Sequence, residues 1–264
     1  MNIFIKELKA NRKALIIWSV CMVLSVLSGM SKYTAYSSGG ASNDVFAKMP
    51  TVMKGLLGIG SFDVTTMSGF FAFLYPYLAI ATAIHAVLLG SGIIAKEERD
   101  KTTEFIITKP VSRFTIITSK LLAALVNILI VNLVTLFSSI LMVAAYNKGD
   151  NITSEIVVFL VSMLIVQLIF FTLGSFISSI LRNPKASGSI ATSILLGAYV
   201  ISKITDVTDT LSVLNILSPF KYFSYMDIVN GEGLSFVIVI LSLLLITVLT
   251  VSTYYFYQKR DLNI

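Results

Sequence analysis

The sequence is poor in charge, cysteine and histidine. Only 13% of its 264 residues are Asp, Glu, Lys or Arg, about half the ~25% share of an ordinary soluble domain. The single cysteine, Cys21, excludes an intrachain disulfide and any multi-thiolate metal centre built by this chain alone. The single histidine, His85, cannot make a metal site by itself. There is no GxxxxGK[ST] loop to cradle nucleotide phosphates, and neither an HExxH helix nor a GxSxG elbow occurs. Glu97-Glu98 could stand as the paired glutamates of an intramembrane peptidase. That chemistry needs an Arg one helical turn later and histidines in the membrane, whereas position 102 is Thr102 and only His85 exists. No catalytic residue is expected.

What the chain has instead is apolar length. Hydrophobic residues make up 56% of it, and the mean hydropathy is +0.87. Several long runs contain no Lys, Arg, Asp or Glu, and about 18 such residues suffice for a membrane-spanning helix. The fold class that follows is all-α: a polytopic integral membrane protein with six transmembrane helices in one domain. The spans are expected near 14–30, 69–95, 121–146, 156–181, 186–202 and 234–257. No small-x-small cleavage site follows the first run, so it is read as a span that stays. Cys21, inside it, is expected to be a small core side chain. Residues 1–13 place Ile3, Phe4 and Leu8 against Lys6, Lys9, Arg12 and Lys13, the pattern of an amphipathic helix at a membrane surface. Gly174, Ser175, Ser178 and Ser179 permit close helix packing in the fourth span, and Asn127, Asn132 and Gln167 read as interhelical glue. His85 is a candidate intramembrane polar site, since ionisable groups in a span are functional candidates, but a neutral His in an interhelical hydrogen bond is the commoner case. The semi-apolar stretch 203–233, rich in aromatics, is expected to dip into the membrane as a re-entrant segment.

Charge is concentrated in one place. Lys96 to Lys120 reads KEERDKTTEFIITKPVSRFTIITSK and lies between two apolar runs. Pro110 cannot continue a helix, so Asp100–Thr108 is expected to form about two turns, with Ser112 as the N-cap of the next span. A bounded helix between spans suits docking to something in the cytoplasm. Six spans place both termini on one side. That side, with the Lys96 loop and Arg182–Lys185, carries 14 of the 20 Lys and Arg. The positive-inside rule then puts the termini in the cytoplasm. The net charge of +6 reports this topology and does not argue for nucleic acid.

Thr103-Glu104-Phe105, then Lys109-Pro110-Val111-Ser112-Arg113, then Lys120 at the mouth of a span, resembles the intracellular signature of ABC-2 type permeases. Glu97-Glu98 matches its acidic pair, and Thr102 stands where that family often has Gly. The resemblance implies an ABC-2, type V exporter-like architecture and the membrane subunit of an ATP-driven exporter. The substrate would be amphipathic or hydrophobic (a peptide, an antimicrobial compound or a lipid-like molecule). It implies that residues 96–113 form a coupling helix on a separate ABC ATPase subunit, with Glu97, Glu98, Thr103, Glu104, Phe105, Ile106 and Arg113 at the contact. Arg182 and Lys185 would make a second contact, and residues 1–13 would be the connecting helix. ATP and Mg would be bound by the ATPase, with no cofactor in this chain. A second permease copy, as homodimer or heterodimer, and membrane lipid complete the implied partners, in a bacterial plasma membrane. The rival reading is a membrane scaffold or sensor that recruits a cytoplasmic partner through 96–113 without transport.

Overall fold

The computed structural model describes residues 3–37, 50, 53, 63–102, 111–146, 151–181 and 183–260. These residues form helices and no strand. In chain order they are α1 (Ile3–Met30), α2 (Tyr33–Ser37), α3 (Met67–Arg99), α4 (Arg113–Tyr146), α5 (Thr153–Ile180) and α6 (Ser187–Val207). Two 3-10 helices follow, Asp209–Leu217 and Pro219–Lys221, then α7 (Tyr225–Val229) and α8 (Phe236–Lys259). Six helices are long and apolar enough to cross a membrane: α1 with α2, then α3, α4, α5, α6 and α8. The expected six-span, all-α fold is therefore present.

The spans α3 and α4 outlast their apolar runs, for identifiable reasons. Around α3, Asp63 Oδ1 accepts from the Thr65 N–H at 2.9 Å, and the Thr66 side chain caps the first turn by accepting from the Gly69 N–H at 3.1 Å. Ser112 caps α4 as its position suggests, its Oγ accepting from the Thr115 N–H at 3.1 Å. With 33 residues α3 is about 50 Å long, so it projects well beyond a ~30 Å hydrocarbon layer.

The bundle is built on the crossing of α3 and α5. Of their most apolar stretches 67% is buried, against 11% for α8 and 17% for α1. Glycine makes this crossing close. A Cβ on Gly90 would lie 2.2 Å from the Phe171 carbonyl oxygen, and one on Gly174 would lie 2.5 Å from that of Val87. The Ser175 hydroxyl, over the same contact, hydrogen-bonds the Gly90 carbonyl at 3.3 Å. In lipid, where apolar burial does not drive helices together, such small-residue contacts supply the packing. Around this pair, α1 lies along α4, α6 along α3, and α8 along α5. Asn132 of α4 donates to the Leu160 carbonyl and to Gln167 Oε1 of α5, at 3.3 and 3.4 Å, whereas Asn127 bonds only its own helix through the Ala123 carbonyl.

Three expectations change. Residues 3–13 are not a separate helix, because Ile3–Met30 runs as one helix with no break. Cys21 is exposed on the outer face of α1 rather than packed in the core. A helix beginning at Asp100 is not formed either: Asp100 caps α3, and Lys101 has a left-handed backbone, φ 54°. The rest of that segment, with Thr103 to Pro110, lies outside the described residues, as does Arg182. Stretch 203–233 is a chain of short helices folded back on the bundle. Ser218, Phe220, Phe223 and Ile228 are buried, while Val213 and Ile216 face outward. The Ser218 hydroxyl ties it to α6 by donating to the Ala198 carbonyl at 2.8 Å.

Candidate functional site

The polar groups that could do work gather at the end of the bundle where α3 stops and α4 begins. Four consecutive side chains in the last turn of α3 carry charge. Successive residues on a helix point about 100° apart, so the first three, Lys96, Glu97 and Glu98, point in different directions. They therefore reach three different neighbours. Lys96 pairs with Glu7 of α1. Glu97 pairs with Lys120 of α4. Glu98 pairs with Arg260, just past α8, at 2.6 Å.

Arg260 extends the network, since a guanidinium has five donors in a fixed fork. Its second arm donates to the Ser178 carbonyl of α5 at 2.6 Å. Arg113, at the start of α4, donates to the Gln258 and Arg260 carbonyls at 3.0 and 2.7 Å. It thereby satisfies acceptors that the end of α8 would otherwise leave open. Thr118 of α4 and Tyr254 of α8 share a hydroxyl–hydroxyl hydrogen bond at 2.9 Å. One turn of α3 is thus fastened to α1, α4, α5 and α8.

The Glu97–Lys120 pair is buried and the other two are partly buried, so none is an ordinary surface pair. Lys120 is 0% exposed and Glu7 2%, and the side chain of Glu98 is 4% exposed. The Lys120 ammonium also donates to the Ile93 carbonyl at 2.9 Å. A buried pair of this kind holds its geometry because either partner alone would be an uncompensated charge in a low-dielectric surrounding. By contrast Arg99 and Asp100 pair on the surface, where such a contact contributes little.

The chain leaves this turn through a defined stop. The Thr102 N–H returns to the Glu97 carbonyl at 2.8 Å, and the Lys101 N–H to that of Glu98 at 3.4 Å. This double closure is a Schellman motif, whose left-handed position usually carries glycine; here it carries Lys101, not Thr102.

The residues expected at a partner contact separate accordingly. Glu97 and Glu98 come together, but turned into the bundle and paired. Arg113 is exposed while its guanidinium holds the end of α8. Lys185 is exposed on the turn before α6, its N–H bonded to Asn183 Oδ1 at 3.1 Å. Thr103, Glu104, Phe105, Ile106 and Arg182 fall outside the described residues. His85 stands apart from this network, between α3 and α1, with its ring 5.2 Å from that of Trp18. It is buried, and its Nδ1 has no hydrogen-bond partner among the described residues.

Sequence reasoning missed Glu7 and Arg260 and left Lys120 without a role. One signal was there to read: Glu7 is the sole acid among the basic residues 1–13. The arrangement ties the end of α3 to α1, to α4 and, through Arg260, to α5 and the end of α8. Over residues 1–262 the chain matches the family described as ABC-2 family transporter protein. No curated protein matches it.

Proposed function

From the premise that this chain belongs to the ABC-2 transporter family, and so is a membrane subunit of an ABC transporter, we propose that it is the permease of an exporter. A separate ATPase docks on the segment after α3, and two permease copies form the translocation unit. ATP and Mg belong to the ATPase. The absence of a P-loop in this chain is consistent with that division of labour.

The observation that carries the reading is the fan of Lys96, Glu97 and Glu98. A docking element transmits force only if its root is stiff and joined to moving parts. Here the root is tied to α1, α4, α5 and α8 by buried or partly buried charge. Glu97 and Glu98 therefore brace the coupling segment, and Thr103, Glu104, Phe105 and Ile106 are its contact with the ATPase. Arg113 holds the return of the chain against α8. Arg182 and Lys185, on the neighbouring turn, form the second contact. The excess of Lys and Arg at this end supports placing it in the cytoplasm of a bacterial cell.

The substrate is amphipathic or hydrophobic, such as a peptide, an antimicrobial compound or a lipid-like molecule. Uncharged span interiors favour that class over ions and sugars, which need polar or charged groups near the midplane.

The test is copurification of the tagged chain in mild detergent. An ATPase subunit in roughly equal amount is expected, and Glu104→Lys or Phe105→Asp should release it without unfolding the membrane part. Variants that still copurified and transported at full rate would sink the docking assignment.

A further inference from the structure

At the end of the bundle away from the ion pairs, the second half of α1, α2 and the first half of α3 enclose a groove of about 560 Å³. That is a ligand-sized volume, within the range of about 300–1,000 Å³ common to binding sites. Its floor is apolar: Phe70, Leu74 and Leu78 are buried there, with Phe73 beside them. Gly29 brings α1 close, since a Cβ at that position would lie 2.5 Å from a Leu74 methyl.

The groove opens between two helices long and apolar enough to cross a membrane. Leu24 on one lip and Tyr77 on the other are 57% and 43% exposed within their spans. One cation stands at its end, Lys32, just past the last turn of α1. Lys32 is exposed and has no acidic partner among the described residues. Among the described lysines on this side, Lys203 and Lys221 differ, for both hold Asp206.

An apolar slot between two spans, with one cation that has no acidic partner among the described residues, has the chemistry of an anionic amphiphile. A soluble anion would gain nothing from the Phe70–Leu78 wall, and a zwitterionic lipid gains little from one lysine. We propose that this groove holds an acyl chain of an anionic membrane phospholipid whose phosphate rests on Lys32. This goes beyond the exporter reading and does not depend on it, because the lipid site belongs to the isolated chain.

The test uses the purified full chain in micelles with equal phosphatidylglycerol and phosphatidylcholine, and measures co-purifying lipid by native mass spectrometry. Preferential retention of phosphatidylglycerol is expected. Lys32→Gln should lower it about fivefold, the weight of one basic residue near an anionic surface, and Lys32→Arg should keep it. Ser28→Trp, a change at an exposed groove residue, should fill the slot and reduce both lipids. Excess inorganic phosphate should not displace the lipid. Equal retention of both lipids, or no loss in Lys32→Gln, would overturn the proposal. So would displacement by phosphate alone, or a Ser28→Trp effect confined to dimer content, which would mark the groove as a subunit contact.

Discussion

The two ends of this bundle are held by different physics. At the end where α3 meets α4, helices far apart in sequence are joined by buried or partly buried charge: Glu7 with Lys96, Glu97 with Lys120 and Glu98 with Arg260. Towards the opposite end the spans are joined mainly by rings, with the Lys203–Asp206–Lys221 cluster tying α6 to the short helices beside them. Tyr75 packs on Phe159 and Tyr225, with centroids 4.9 and 5.2 Å apart, and Phe170 packs on Phe220 at 5.2 Å. Ring contacts tolerate small slides, because dispersion attraction falls off gradually and several tilted and offset geometries are close in energy. A buried ion pair does not, since a small displacement leaves each charge without its partner. One end is therefore suited to receive a push as a rigid body and the other to rearrange in response. That division of labour suits the proposed docking of an ATPase at one face.

The sharpest way to break this comparison is at Lys120. Lys120→Met leaves Glu97 buried and unpaired, and should cost about 3–5 kcal/mol. The double change Lys120→Met with Glu97→Leu should recover most of that stability, because apolar residues replace a buried pair at little cost. It should still lose transport, since the brace between α3 and α4 is gone. Unfolding by SDS titration in mixed micelles reads the first effect and reconstituted transport the second. A double variant as unstable as the single would show that the pair is not what Lys120 contributes.

The other end should answer more gently. The Tyr75 hydroxyl shares a 2.8 Å hydrogen bond with Ser162 of α5. Tyr75→Phe keeps the ring stack and removes that bond, so the expected cost is about 0.6 kcal/mol, the average for such bonds in membrane proteins. Transport should persist. A severe transport defect without a stability change would erase the contrast between the ends.

How much of this was legible depended on the range of the interaction. The six spans were, because a composition run is a local property and needs no partner. The Ser112 cap and the small residues around Gly174 were readable for the same reason: each acts within a turn or through its own size. The family signature from Glu97 to Lys120 was readable as a linear pattern. The ion-pair fan was not. Glu7 and Lys96 are 89 residues apart, and Glu98 and Arg260 are 162 apart, and a sequence alone gives no reason to prefer one pairing of acids and bases over another. Residues 1–13 misled differently. Their pattern fits a surface helix, but Ile3–Met30 runs as one helix in which Glu7 is buried and paired with Lys96, a partner no local pattern names.

The turn that ends α3 lies next to the ion pairs, and a smaller change there sharpens the comparison. Lys101 sits at φ 54°, a conformation that costs a side-chain-bearing residue about 1–2 kcal/mol. Lys101→Gly removes that cost but raises the entropy of the unfolded chain, worth about 0.5–1 kcal/mol. The net expectation is a gain of about 0.5 kcal/mol with docking unchanged. A loss of stability would mean that the Lys101 side chain makes a contact which outweighs the strain.

The smallest effect is expected at the start of the same helix, on the opposite side of the membrane. The Asp63 carboxylate accepts from both the Thr65 hydroxyl, at 2.7 Å, and the Thr65 N–H. These bonds favour the ionised form and hold its pKa below the ordinary aspartate value. A depressed folded pKa means that the stabilisation is complete above the unfolded pKa, near 3.9, and is lost as pH falls through the folded value. Asp63 is exposed, so solvent screens the effect and it should be slight. Asp63→Asn should melt almost as the parent does at about pH 3 and slightly below it at about pH 6. An equal deficit at both pH values would assign the contribution of Asp63 to turn geometry instead of charge.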